Sequence, residues 1–451
     1  RRCRRCLVDL VTTPPVEDSA PPSRARRFDL GALFAMPSRR TVALLVVLGI
    51  GLWVALPVVW PDAAPGTPSG ARSADAAPDA WGLANGDAGG TRATSAPAHL
   101  EGMLAQVTEL DASPSAPAVS SASAIYVPLQ DGRLAAVSTT DGSVMWVRTY
   151  DHTLNSAPAI AGDRLYVVDR NGLIGALDAA TGEQIWTTDP LGGFGVAPVV
   201  SDGSVFAYFG VAPDTADAGV LVQVDAETGA MLWRARAVSG LPALALAVDG
   251  THVVLAGTGT VELYRRDSGR RSFWYVLAQP PQSVAIEGGV VHAVTGRQVV
   301  ALDRDASRPW WDGVRGFWRR LAIIGAAPLP PRVPSLWVVP APPLAGTLAP
   351  VVTAEVLVVA TPSGLVVAFD RATGEVRWQA QGEPSTGAPV LTADGLLLVH
   401  ARSLVLLDPM SGAVLGGRSL EGITGRVVQA IPTNGGTWVV TSEGQVLALT
   451  N

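Results

Sequence analysis

The stretch A-L-D-A-A-T-G-E-Q-I-W at residues 176–186 returns as A-F-D-R-A-T-G-E-V-R-W at residues 368–378. In both copies an alternating apolar strand runs into Asp-x-x-Thr-Gly, turns, and ends on Trp, so one local unit has been copied along the chain. Degraded copies read Q-V-D-A-E-T-G-A-M-L-W at 223–233, A-V-S-T-T-D-G-S-V-M-W at 136–146, A-L-D-R-D-A-S-R-P-W-W at 301–311 and Y-R-R-D-S-G-R-R-S-F-W at 264–274. A further copy at 406–416 has Gly where Trp is due.

A pair ending in Pro opens most units: Ala116-Pro117, Ala157-Pro158, Ala197-Pro198, Leu241-Pro242, Pro280-Pro281, Ala349-Pro350 and Ala388-Pro389. The interval is near 40 residues, the length of a four-stranded propeller blade. In the unit opened by Pro158 the pattern predicts strands at 158–161, 164–168, 173–179 and 184–188. Gly162-Asp163, Asn171-Gly172 and Thr181-Gly182 supply the positive φ that the tight turns between them need. A blade cannot bury both faces alone, so blades must stack and the stack must close. After the unit opened by Pro389 only three strands remain, at 428–431, 437–441 and 445–449. The missing fourth is predicted upstream at 103–110, which gives eight blades and removes the free sheet edges.

These phrases at this spacing resemble the pyrroloquinoline-quinone (PQQ)-like β-propeller repeat. That superfamily includes PQQ-dependent alcohol and glucose dehydrogenases and the non-catalytic BamB branch of outer-membrane protein assembly. The resemblance covers roughly residues 98–451 and implies an all-β, eight-bladed propeller of four-stranded antiparallel blades. It also implies that Trp146, Trp186, Trp233, Trp274, Trp311 and Trp378 dock neighbouring blades. An indole buries roughly 150–250 Å² and its N–H can satisfy a carbonyl next door, which is sufficient reason for such a role.

Composition narrows the chemistry. The 451 residues are 48% hydrophobic with a net charge of −6, which gives no reason to expect nucleic acid. The chain has no Lys, so Schiff-base chemistry and a phosphate-binding P-loop Lys are excluded. Residues 41–60 form an uncharged apolar run, and about 20 such residues suffice to cross a bilayer. A transmembrane helix is expected there rather than a cleavable signal, because the run is long and Ala63-Ala64 is followed by Pro65. Arg24, Arg26, Arg27, Arg39 and Arg40 precede it, so the positive-inside rule places a basic tail, 1–40, in the cytoplasm. The expected location is the bacterial cytoplasmic membrane, single-pass, with the propeller outside. Residues 61–97 read as a flexible Pro/Gly/Ala-rich tether with Trp81 as a loose contact. No Cys follows the apolar run, a departure from a BamB lipoprotein.

Cys3 and Cys6 in R-R-C-R-R-C are similar to the second knuckle of a zinc ribbon, half of a tetrahedral site. The chain does not open on Met, and a first knuckle would lie upstream of Arg1; the alternative is a pair of reduced thiols in a basic tail. The quinoprotein alcohol dehydrogenases of the superfamily carry a vicinal disulfide, a bound calcium and an Asp base. Here the propeller holds no Cys, and Asp178, Asp225, Asp303, Asp370 and Asp408 all occupy the turn-capping position of the repeat. His99, His152, His252, His292 and His400 fall in different units without ligand spacing. His400, beside Arg402, is the one placed best to face a funnel.

The unit opened by Pro281 is longer than its neighbours, with the excess assigned to 312–349. That stretch carries Phe317, Trp318, Arg319, Arg320, Leu336 and Trp337, an apolar and basic set suited to a partner or membrane surface. The expectation is a membrane-anchored, monomeric propeller that binds an envelope protein and needs no cofactor in its ring. The alternative is a membrane-bound PQQ- and calcium-dependent dehydrogenase of alcohols or aldoses.

Overall fold

The computed structural model describes residues 81–450 except 192, 211–218, 238–244, 278, 306–317, 319–324, 327–334 and 341–347. The tail, the apolar run 41–60 with Cys3 and Cys6 before it, and residues 61–80 lie outside this set. Among the described residues no helix is long and apolar enough to cross a membrane.

Eight antiparallel sheets follow one another along the chain. Blades 1 to 7 span 119–149, 159–187, 193–236, 245–276, 281–340, 351–381 and 385–419, and blade 8 spans 427–450. Strands in blade 2 fall at Ala159–Ala161, Arg164–Val168, Ile174–Asp178 and Gln184–Thr187, close to the spacing read from its turn residues. Blade 3 differs in having its inner strand in two pieces, Gly193–Gly195 and Val199–Ser201, both paired with Ser204–Gly210. Met103–Glu109 pairs antiparallel with Gln445–Thr450 and is the outermost strand of blade 8. The ring is therefore closed by joining the two ends of the propeller sequence in one sheet, and Thr108 Oγ1 donates onward to the Gly142 carbonyl of blade 1.

The second and third strands of each blade are almost wholly buried, because Val, Leu, Ile and Ala alternate onto both faces and each face meets a neighbouring blade. The fourth strands are amphipathic and form the rim.

The tether boundary needs correction. Residues 81–98 belong to the propeller, where they make a strap that bonds to the inner strands in ring order. Ser120 N–H of blade 1 donates to the Trp81 carbonyl, Ile160 of blade 2 to Gly82, Val248 of blade 4 to Ala88, and Ile286 of blade 5 to Gly89. Val352 of blade 6 donates to Thr91 and Leu391 of blade 7 to Arg92, while in blade 8 the bond comes from the second strand, where Thr437 Oγ1 donates to Ala98. Leu83 packs with Val199 and Val200 of blade 3. Trp81 is fully buried, with its backbone N–H on Ser120 Oγ at 2.7 Å. Gly89 must be Gly, since a Cβ there would stand 2.4 Å from the Ile286 carbonyl oxygen.

Candidate functional site

The repeat phrase builds one local device. Its Asp ends the third strand and its carboxylate accepts the N–H groups of the turn: Asp178 those of Ala180 and Thr181, Asp225 those of Glu227 and Thr228, Asp370 those of Ala372 and Thr373. Asp408 does the same for Met410 and Ser411, and Asp303 for Asp305. These bonds lower the carboxyl pKa at Asp178 and Asp408, and at Asp370 the Arg377 guanidinium adds to them and takes it to about 2. The repeat carboxylates are thus turn caps, and those of Asp178, Asp370 and Asp408 are held ionised by the bonds they accept.

The Trp of each phrase lies on the Gly of the next blade's turn. Trp146 stacks on Gly182, where a Cβ would meet the ring at 2.7 Å and φ is +73°, and its indole N–H donates to the Ala179 carbonyl at 3.0 Å. Trp186 donates to Ala226, Trp233 to Arg266 and Trp378 to Pro409 in the same way. In each case the acceptor is the residue after the capping position.

Two assignments change. Blade 4 places Phe273, not Trp274, at the docking position: Phe273 pairs with Leu263 just before the strand bulge, as Trp186 pairs with Ala176. Phe273 is buried against Val284, Ile286 and Val291 of blade 5. Trp274, one residue on, points to the opposite face, because side chains alternate along a strand. The degenerate copy is therefore in register at 263–273, and its Gly269 carries Trp233. In blade 5 the docking residue is Trp337. It opens the strand Trp337–Pro340 opposite Ala301, donates to the Arg371 carbonyl at 2.9 Å and covers Gly374. The extra residues consequently fall between the third and fourth strands of blade 5, after Asp303 and before Trp337, and not after the docking residue. Trp311, Phe317, Arg319 and Arg320 lie outside the described residues; Trp318 is half-buried, and Leu336 is 53% exposed.

The histidines are dispersed. His99 bonds the Thr433 carbonyl and buried His400 the Pro384 carbonyl, while His252 pairs with Thr251 Oγ1. His152 is exposed. His292 is fully buried against Trp337, and neither ring nitrogen has a partner among the described residues.

Around the axis, two cavities of ≈ 380 and ≈ 340 Å³ share Ala84 of the strap and Pro117. Ala116, Pro117 and Ala388 in the first wall, and Pro117, Ala157, Ala197 and Pro198 in the second, come from the Pro-ending pairs that open the units. Arg92 lies in the wall of the first, with Nε on the Pro389 carbonyl at 2.7 Å, Nη1 on the Ala84 carbonyl and Asn85 Oδ1, and Nη2 on the Ala388 carbonyl. It stacks 5.0 Å over Trp81, and burial lowers its pKa to about 10, which leaves it cationic at neutral pH. Asp87 lines the second cavity; its carboxylate accepts from the N–H and hydroxyl of Thr91, and burial raises its pKa.

A calcium ion takes 6–8 oxygen ligands, several of them carboxylates. Among the described residues Asp87 is the one carboxylate in either cavity wall, it is already bonded to Thr91, and no group of three His, Cys, Asp or Glu could hold a metal. These residues do not fit a calcium-held quinone. The strap and its Arg92 were missed in the sequence; the signal was G-D-A-G-G at 86–90, which allows close backbone approach, next to an isolated Trp.

A model of one family, described as outer membrane protein assembly factor BamB, matches residues 130–307, 217–389 and 315–415. The chain belongs to that family. Among solved structures it is similar to BamB from Moraxella catarrhalis, at 15% identity and a TM-score of 0.57 over 77% of this chain and 99% of that one. It is also similar to quinohemoprotein alcohol dehydrogenase from Comamonas testosteroni, at 15% identity and a TM-score of 0.59 over 83% and 81%. The computationally designed Ika8 protein matches at 13% identity and a TM-score of 0.61, over 78% and 100%. No curated protein matches the sequence. At these identities the likeness is one of fold, and the fold is shared by BamB-like binding propellers and by dehydrogenases.

Proposed function

We propose that this protein is a BamB-like interaction scaffold or sensor of the cell envelope, which binds a protein partner and performs no redox chemistry. On this reading residues 41–60 anchor it to the bacterial cytoplasmic membrane, with the propeller outside and any zinc confined to Cys3 and Cys6. The observation that carries the proposal is the apolar rim. On neighbouring blades 7, 8 and 1, Val414, Leu415, Met103, Leu104, Val107 and Met145 are exposed large apolar side chains on outermost strands. Large apolar side chains left exposed on adjoining blades offer a partner surface to bury, and Ile185, Met231, Val276 and Val376 carry the same feature to blades 2, 3, 4 and 6. Leu336, with Phe317 and Trp318, would extend contact from blade 5.

The test has two arms. Purified chain should show no saturable PQQ uptake with Ca²⁺ and no dye-linked oxidation of alcohols or aldoses. In membranes, a Val107→Asp/Val414→Asp variant and a Phe317→Ser/Trp318→Ser/Leu336→Ser variant should lose crosslinks to envelope proteins that the parent forms. Stoichiometric PQQ uptake with turnover overturns the proposal, as do crosslinks unchanged in both variants.

A further inference from the structure

The ≈ 380 Å³ cavity runs from the strap to the junction where blade 8 meets the start of blade 1, and it is independent of the apolar rim. Among the described residues Arg92 and Arg426 are the only charged ones in its wall, which otherwise consists of Ser, Gln, Ala, Val and Pro. Arg92 is 5% exposed, and among the described residues neither arginine has a carboxylate within ion-pair distance. Four of Arg92's five N–H groups are taken by carbonyl and amide oxygens, none of which carries charge. Arg426 is exposed at the mouth beside Ser442, whose hydroxyl accepts its backbone N–H. A concave site of this size suits a small molecule, and although Asp87 attracts the Arg92 charge from outside the wall, the two guanidinium groups leave the wall itself net positive and so select the sign of that molecule.

We propose that this cavity binds a small organic anion, a carboxylate or phosphate ester, with Arg426 making the direct charge-assisted contact and buried Arg92 supplying attraction from within. The Pro-lined wall, set by the residues that begin blade 1, makes the site part of the ring junction, so ligand occupancy reports on closure of the ring. Arg92 is unsuited to mutation as a test because it also holds the strap; Arg426 has no such duty.

Isothermal titration of the full-length chain at fixed ionic strength would use succinate and glycerol 3-phosphate as the two anionic probes and succinamide as the uncharged one. Saturable binding of either anion, none of succinamide, and affinity weakened about tenfold or more by Arg426→Gln, but not by Arg402→Gln elsewhere on the surface, is the expected result. Which probe binds identifies the carboxylate or phosphate class. No saturable binding of either anion, or an Arg426→Gln variant that binds as the parent does, or equal losses in the two variants, overturns the proposal.

Discussion

His292 shows how one side chain can depart from a repeated solution. In blades 1 and 2 the equivalent second-strand residue is Tyr126 or Tyr166, whose hydroxyl joins the docking indole on the carbonyl of the next blade, Ala179 or Ala226. In blade 5 the imidazole lies against Trp337 and, among the described residues, bonds nothing, so that the shared acceptor, Arg371, receives the indole without a second donor from this position. Burial, with the Arg371 charge adding to it, lowers the His292 pKa to about 3. A folded-state pKa below the unfolded value means that the unfolded chain takes the proton first. Stability is therefore complete above the unfolded value of about 6.5 and falls as pH drops from there towards 3. His292→Tyr should restore the hydroxyl bond to Arg371 and remove this dependence. Between pH 7 and pH 5 the parent should lose about 2 kcal/mol more than the variant in urea unfolding. Identical pH dependence in the two proteins would show that His292 already has a proton partner.

At the scale of elements, the strap is the part of the propeller that composition concealed. A chain beginning at His99 should still form the ring, because every blade keeps its own ladder and Met103–Glu109 still pairs with Gln445–Thr450. The amides of Ser120, Ile160, Val248, Ile286, Val352 and Leu391 would lose their strap acceptors, but water entering along the axis can replace them. The cost should come mainly from burial of Trp81 and Leu83, on the order of several kcal/mol. Hydrogen exchange should thus show protection lost at those six amides and retained in the third strands; unchanged protection would mean that the strap is dispensable. The blades were legible because apolar alternation and positive-φ turn residues are local signals. The strap was not, since its order comes from inner strands scattered over the whole chain. Phe273 and Trp337 were misplaced for a related reason: a docking residue is defined by its register across a bulge, and a one-residue slip or an insertion before it leaves the sequence equally rich in aromatics.

For the molecule as a whole, closure depends on joining residues more than 300 positions apart, and the pairing Met103↔Thr450 to Glu109↔Gln445 is where that join is made. The closing strand is also the weakest aromatic junction of the ring. Blade 7 has Gly416 at the docking position, with Leu100 as its neighbour, where blades 1, 2, 3, 5 and 6 have Trp and blade 4 has Phe273; in blade 8 the backbone of Gln106 pairs with Ala448 at that register, and Thr108 makes the bond to blade 1. The ring should open here first. Replacing residues 103–109 with a Gly/Ser sequence of equal length keeps the strap in reach while withdrawing the backbone partner of Gln445–Thr450. That strand, buried in the intact ring, would become an apolar edge carrying Val446, Leu447 and Leu449, the kind of edge that recruits other chains. The expected outcome is a lower melting temperature and concentration-dependent aggregation in size-exclusion chromatography, with protection in hydrogen exchange lost from blade 8 before blades 2 and 3. A monomeric variant with the parent's melting temperature would place the closure elsewhere, in the strap and not in the shared sheet.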